Sequence, residues 1–99
     1  MVNVTRLVAA EDDLFAILEY GAGQWGHIDT LTFVLSFRAV DDWLASHPLM
    51  GRERPELGVG FRSWLHREYI VYYQFDGVRV EVVRILHGSA HAGAVDMSH

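Results

Sequence analysis

The pair Asp76-Gly77 stands between two runs of strand-forming residues, Glu68 to Phe75 and Val78 to Leu86, and it constrains the fold more than any other feature of the chain. Asp-Gly is a strong signal for a two-residue hairpin turn, in which both central residues need positive φ. The flanking runs are therefore expected as antiparallel neighbours. The first of them, with Tyr69, Ile70, Val71, Tyr72, Tyr73 and Phe75, is aromatic and β-branched without alternation, as suits a central strand buried on both faces. Phe61 to His66 adds a third strand ahead of it. Strict alternation along the last strand would put Val78, Val80, Val82, Arg84 and Leu86 on one face and Arg79, Glu81, Val83, Ile85 and His87 on the other.

Upstream the period changes. Val2, Val4 and Leu7 read as a short opening strand. From Ala9 or Ala10, the residues Leu14, Ile17, Leu18 and Trp25 recur at helical spacing, with Glu11, Asp12 and Asp13 near the start, where the helix dipole favours negative charge. This helix should end between Gly21 and Gly26. Asp29 is a plausible N-cap for a second helix with the stripe Phe33, Phe37, Val40 and Leu44, with Asp41 and Asp42 facing out and Pro48 as the stop. His47 to Gly60 reads as a surface loop. The sum is a small α+β domain with an N-terminal strand and a helical hairpin packed on a C-terminal three-stranded antiparallel sheet.

Composition narrows the function. At 99 residues the chain suits one domain, able to bury about 60–65% of its unfolded surface. No apolar run approaches a membrane span, and Met1 to Asp13 lacks the pattern of a signal peptide, so a cytoplasmic protein without membrane association is expected. Cysteine is absent, which excludes disulfides and thiolate metal sites. All eight basic residues are arginine. Met1 to Met50 sets Arg6 and Arg38 against seven acids, whereas Gly51 to His99 balances six arginines with six acids. The first half reads as a solvated acidic surface. A net charge of −5 argues against a protein that grips nucleic-acid backbone directly.

Candidate functional residues cluster in Gly51 to Gly88. Arg62, Trp64 and His66 share one face of their strand, an aromatic between two cationic or titratable groups, which suits protein or base contact alike. Trp64 in the core and Arg62 in a surface ion pair with a nearby acid account for the pattern equally well. An arginine within an apolar strand, Arg84, needs a carboxylate, a carbonyl or an exit to solvent. His87, at a strand end before Gly88, could act as a general acid or base, or anchor that end by hydrogen bonding. If the helices cover one sheet face, the other offers apolar surface to a partner, unless a loop folds across it. The six histidines are scattered, only His87 and His91 lying close together, so neither a metal site nor a cofactor is expected.

Several segments, taken in order, resemble ParE-type toxins of the RelE/ParE superfamily, the toxin half of bacterial type II toxin–antitoxin modules. They are Glu11 to Tyr20 with Trp25-Gly26, His47-Pro48-Leu49-Met50-Gly51-Arg52, Glu56-Leu57 with Gly60-Phe61-Arg62-Ser63, Tyr69 to Tyr73, and Val83-Arg84-Ile85-Leu86-His87-Gly88. The resemblance covers nearly the whole chain and implies one toxin domain over residues 1–88, while the small, polar residues 89–99 read as a flexible tail. It also implies a cognate antitoxin that wraps the toxin in a hetero-oligomer, here expected on the open sheet face and the hairpin. DNA gyrase is the implied target, through binding and not catalysis. Arg62, Trp64, His66, Arg84 and His87 are the expected partner-binding residues. Relatives that cut messenger RNA on the ribosome use basic residues and a histidine or tyrosine near the last strand. Arg84 and His87 would be the catalytic residues on that alternative. A module that kept the fold and lost toxicity is the third reading. Ser89-Ala90-His91 departs from the arginine and aspartate that commonly follow His-Gly in such relatives.

Overall fold

A computed structural model describes residues 1–90 and Met97. The chain runs β1 (Asn3–Arg6), α1 (Val8–Trp25), α2 (His27–Ser46), β2 (Arg52–Glu53), a 3-10 turn (Pro55–Leu57), β3 (Phe61–His66), β4 (Tyr69–Phe75) and β5 (Arg79–His87). The strands form one sheet in the order β1-β5-β4-β3-β2. This is the expected α+β arrangement with five strands in place of three. The opening strand joins the sheet parallel to β5, because the helical hairpin supplies the long crossover that a parallel pair requires. The two-residue β2 pairs with β3 inside what reads as loop in the sequence.

Helix α1 buries Ala10, Leu14, Ile17 and Gly21, and α2 buries Thr30, Phe37, Val40, Leu44 and Ala45. Against them stand Val71 and Tyr73 of β4 and Val80, Val82 and Ile85 of β5. Each such aliphatic side chain contributes about 1.5–3 kcal/mol on burial, against about 0–1 kcal/mol for an exposed ion pair, so these stripes fix how the layers pack. Gly26 alone joins the helices, with φ of 89° that glycine adopts without strain. Consequently α2 starts at His27, and Asp29 lies within its first turn instead of capping it. Thr30 closes the entry, its N–H and hydroxyl both donating to the Gly26 carbonyl at 3.2 and 2.7 Å.

Two expectations about the hairpin β4–β5 need correction. Asp76 does not take positive φ, and the link spans Asp76 to Val78. Its carboxylate instead accepts the N–H groups of Val78 and Arg79, both at 2.8 Å, which holds its acid below the usual carboxylate range. Farther along, Tyr73 pairs with Val82 but Tyr72 with Arg84, leaving Val83 as an extra residue. This β-bulge breaks the alternation. Beyond it Ile85 returns to the helix side in register with Val71, Arg84 pairs with Tyr72, and Leu86 pairs with Ile70 on the other face.

The sheet face away from the helices is not bare. Phe61, Ser63, Tyr72 and Val83 are buried there, and Arg54 lies over the Tyr72 ring at 5.4 Å while reaching Ser63 Oγ at 3.4 Å. The segment read as a surface loop therefore covers part of this face. Leu65 stays exposed. Of the tail expected over residues 89–99, only Ser89, Ala90 and Met97 are among the described residues.

Candidate functional site

Arg84 finds the carboxylate its position demands in Asp13 of α1. Its Nε and Nη2 donate to Asp13 Oδ2 and Oδ1, both at 2.8 Å, and the Ile85 N–H donates to the same Oδ2 at 2.8 Å. One carboxylate thus ties helix to strand with three charge-assisted bonds, a bidentate fork among them. The reading of the first half as wholly solvated acid fails here and at Asp41, which pairs with Arg6 at 2.6 Å; burial raises the Asp41 acid despite that arginine. Long-range pairing of this kind leaves no periodic mark.

His87 is exposed at the end of β5. The Ser89 N–H donates to its Nδ1 at 3.1 Å, so the neutral ring carries its proton on Nε2, which faces Glu68 Oε2 at 3.6 Å. Ser89 Oγ also lies 2.8 Å from Nδ1. The departure at Ser89 therefore orients the histidine.

Arg62, Trp64 and His66 do share a face, and it is the one toward α2 and the loop. Arg62 Nη1 donates to the carbonyls of Leu49 and Gly51 at 3.0 and 2.8 Å, and Nη2 reaches Glu53 at 3.4 Å. Trp64 packs on the core beside Trp43, ring centroids 6.1 Å apart. His66 stacks on Phe33 and meets Phe37 edge-on. Its Nε2 lies 2.7 Å from Ser36 Oγ, a hydroxyl that donates to the Phe33 carbonyl and so accepts from the ring. Burial, then Arg67, pushes the His66 imidazole below its ordinary value. These three side chains and Arg84 make internal contacts; His87 alone among the five stands largely open.

What His87 opens onto was not legible in the sequence. Asp13, Ala16, Ile17, Tyr20, Tyr69, Ile85, Leu86 and His87 line a groove of about 220 Å³ between α1 and the end of the sheet. Across Tyr69 lies a second cleft of about 310 Å³, lined by Trp25, Asp29, Phe33, Arg67, Glu68 and Tyr69. Tyr69 belongs to both, meeting His87 edge-on at 5.4 Å and Phe33 at 5.7 Å. Burial raises its phenol above the ordinary value, with Glu68 and Tyr20 adding to the shift. Tyr20 and Trp25, both at least half exposed, meet edge-on at the rim. Exposed aromatics around a groove are the composition of a protein-binding surface. Among the described residues no group of three His, Asp or Glu could hold a metal ion.

The chain matches the family model described as ParE toxin of type II toxin–antitoxin system, parDE, over residues 4–91. It is 34% identical over 85 residues to Toxin ParE1 of Caulobacter vibrioides, covering 86% of this chain and 88% of that protein. A solved structure described as the chromosomal ParDE TA system from P. aeruginosa superposes with a TM-score of 0.75 at 22% identity, covering 88% of this chain and 96% of that one. At that identity the superposition speaks for the fold.

Proposed function

The chain belongs to the ParE toxin family of type II toxin–antitoxin systems, and on that premise we propose that it arrests growth by binding DNA gyrase and is neutralised by a cognate antitoxin seated along the Tyr69 groove and the hairpin. Its site of action is then the cytoplasm. Among the described residues no helix is long and apolar enough to cross a membrane.

The observation that favours binding over RNA cleavage is the Arg84–Asp13 pair. A phosphate-stabilising arginine must present its fork to the transition state, and here Nε and Nη2 are held by a carboxylate at 2.8 Å. His87 Nδ1 is likewise engaged by Ser89.

The test is direct. Purified chain added to gyrase should block supercoiling and accumulate cleaved DNA, while messenger RNA in arrested cells stays intact. Unchanged supercoiling and cleavage at concentrations that arrest growth would overturn the proposal.

A further inference from the structure

We propose that the cleft between the hairpin joint and the β3–β4 turn seats an arginine side chain of the antitoxin. The inference rests on the antitoxin reading above and names the chemistry that one part of its surface recognises.

Three rings, Trp25, Phe33 and Tyr69, wall the cleft, and two carboxylates, Asp29 and Glu68, stand in the same lining. Aromatic faces attract cations through the ring quadrupole, guanidinium above all because it is planar and weakly hydrated. Within the cleft Phe33 already holds one guanidinium, which leaves the Trp25 and Tyr69 rings for an incoming one. Arg67, its one basic residue, holds its guanidinium 5.6 Å from the Phe33 ring centroid, at a backbone φ of 54° that is uncommon outside glycine. No ion pair within 4.0 Å joins Arg67 to Asp29 or Glu68. Elsewhere Asp13, Asp41, Glu53 and Glu56 each meet an arginine, whereas the exposed Asp12, Glu19 and Asp42 meet none among the described residues. Asp29 and Glu68 thus present carboxylates that no arginine of the chain takes up, with Glu68 turned only toward His87. Two acids against one arginine leave the lining net negative, as does the chain's overall charge of −5. A volume of about 310 Å³ lies at the small end of ligand pockets, suiting one long side chain. Lysine would meet the same charge but lacks the flat fork that can stack on a ring and address a carboxylate together.

The probe is N-acetyl-arginine amide, titrated into the isotope-labelled chain and followed by NMR, with N-acetyl-citrulline amide as the uncharged control of the same shape. The arginine probe should shift the Trp25 indole and Glu68 amide signals, with the citrulline probe binding at least about threefold more weakly. The chain carrying Asp29→Asn and Glu68→Gln should bind the arginine probe about threefold to tenfold more weakly. Equal response to both probes, no shift at Trp25, or equal affinity in the double variant overturns the proposal. The second measurement is antitoxin affinity for both chains, where the double variant should lose about tenfold. An antitoxin that binds both chains equally defeats the arginine site alone. One that fails to bind the unaltered chain defeats the antitoxin reading, and with it the proposed occupant.

Discussion

Where β1 ends at Arg6, the outer edge of β5 loses its strand partner, and the Ile85 N–H turns to Asp13 for an acceptor. Removing that carboxylate strips Arg84 of its fork and the amide of its partner together. Both side chains of the pair are less than a fifth exposed, so Asp13→Ala should cost about 2–4 kcal/mol, near the lower range for breaking a buried pair. The urea midpoint of unfolding measures it. Half of this arrangement was legible: an arginine among valines and isoleucines calls for a counter-charge. The partner was not, because it lies 71 residues away in a row of three acids whose helical phase alone does not single out Asp13. Tyr73 shows the same limit. Its hydroxyl accepts the Gly51 N–H and donates to the Pro48 carbonyl, both at 2.9 Å, whereas strand propensity predicts only a buried ring. Tyr73→Phe should lower stability by about 1–2 kcal/mol by orphaning that N–H, and the same denaturation assay reads it. His66 supplies a pH dependence. Its folded pKa lies below the ordinary 6.5, so the unfolded chain binds the proton more readily. Stability is then complete above 6.5 and declines as pH falls from there through the folded value. Urea midpoints between about pH 7.5 and about pH 5 should show a decline that His66→Asn flattens.

At the scale of elements, the hairpin was readable because its stripes follow the helical period, and its one-residue joint was not. The distance between α1 and α2 is set where Gly21 faces Thr30: a Cβ at Gly21 would stand 2.6 Å from Thr30 Cγ2. Thr30 is fully buried and its hydroxyl is committed to Gly26, so it cannot simply rotate away. Gly21→Ala gains helix propensity of about 1 kcal/mol, but overpacking costs about 1–3 kcal/mol and should win. A fall in thermal midpoint checks this, and a rise would show that the helices part cheaply. The β-bulge at Val83 was hidden for a different reason. Val82 and Val83 are both apolar and both fully buried, so a slip in phase produces no misplaced charge for the sequence to betray. It nonetheless decides the site, since it turns Ile85 and His87 toward Tyr69 and the groove.

For the whole molecule, the same ion pair separates two accounts of how the chain acts. If Arg84 serves the fold by fastening β5 to α1, its loss changes the amount of folded toxin and leaves the potency of each folded molecule near that of the parent. If it stabilised charge during RNA cleavage, its loss would reduce rate by about 10²–10³-fold at full folding, the scale seen when one electrostatic donor is removed. Instability alone gives a different signature. A variant weakened by about 2–4 kcal/mol can be mostly folded when cool and substantially unfolded when warm, so the two effects part company with temperature. Arg84→Ala toxin, held where circular dichroism shows it folded and dosed by folded concentration, should inhibit gyrase within about threefold of the parent. Warming should remove inhibition and helical signal together. A folded variant with undiminished ellipticity and gyrase inhibition down by about two orders of magnitude would move Arg84 from the scaffold to the gyrase contact, whereas cleaved messenger RNA that disappears with Arg84 while gyrase stays untouched would change the target.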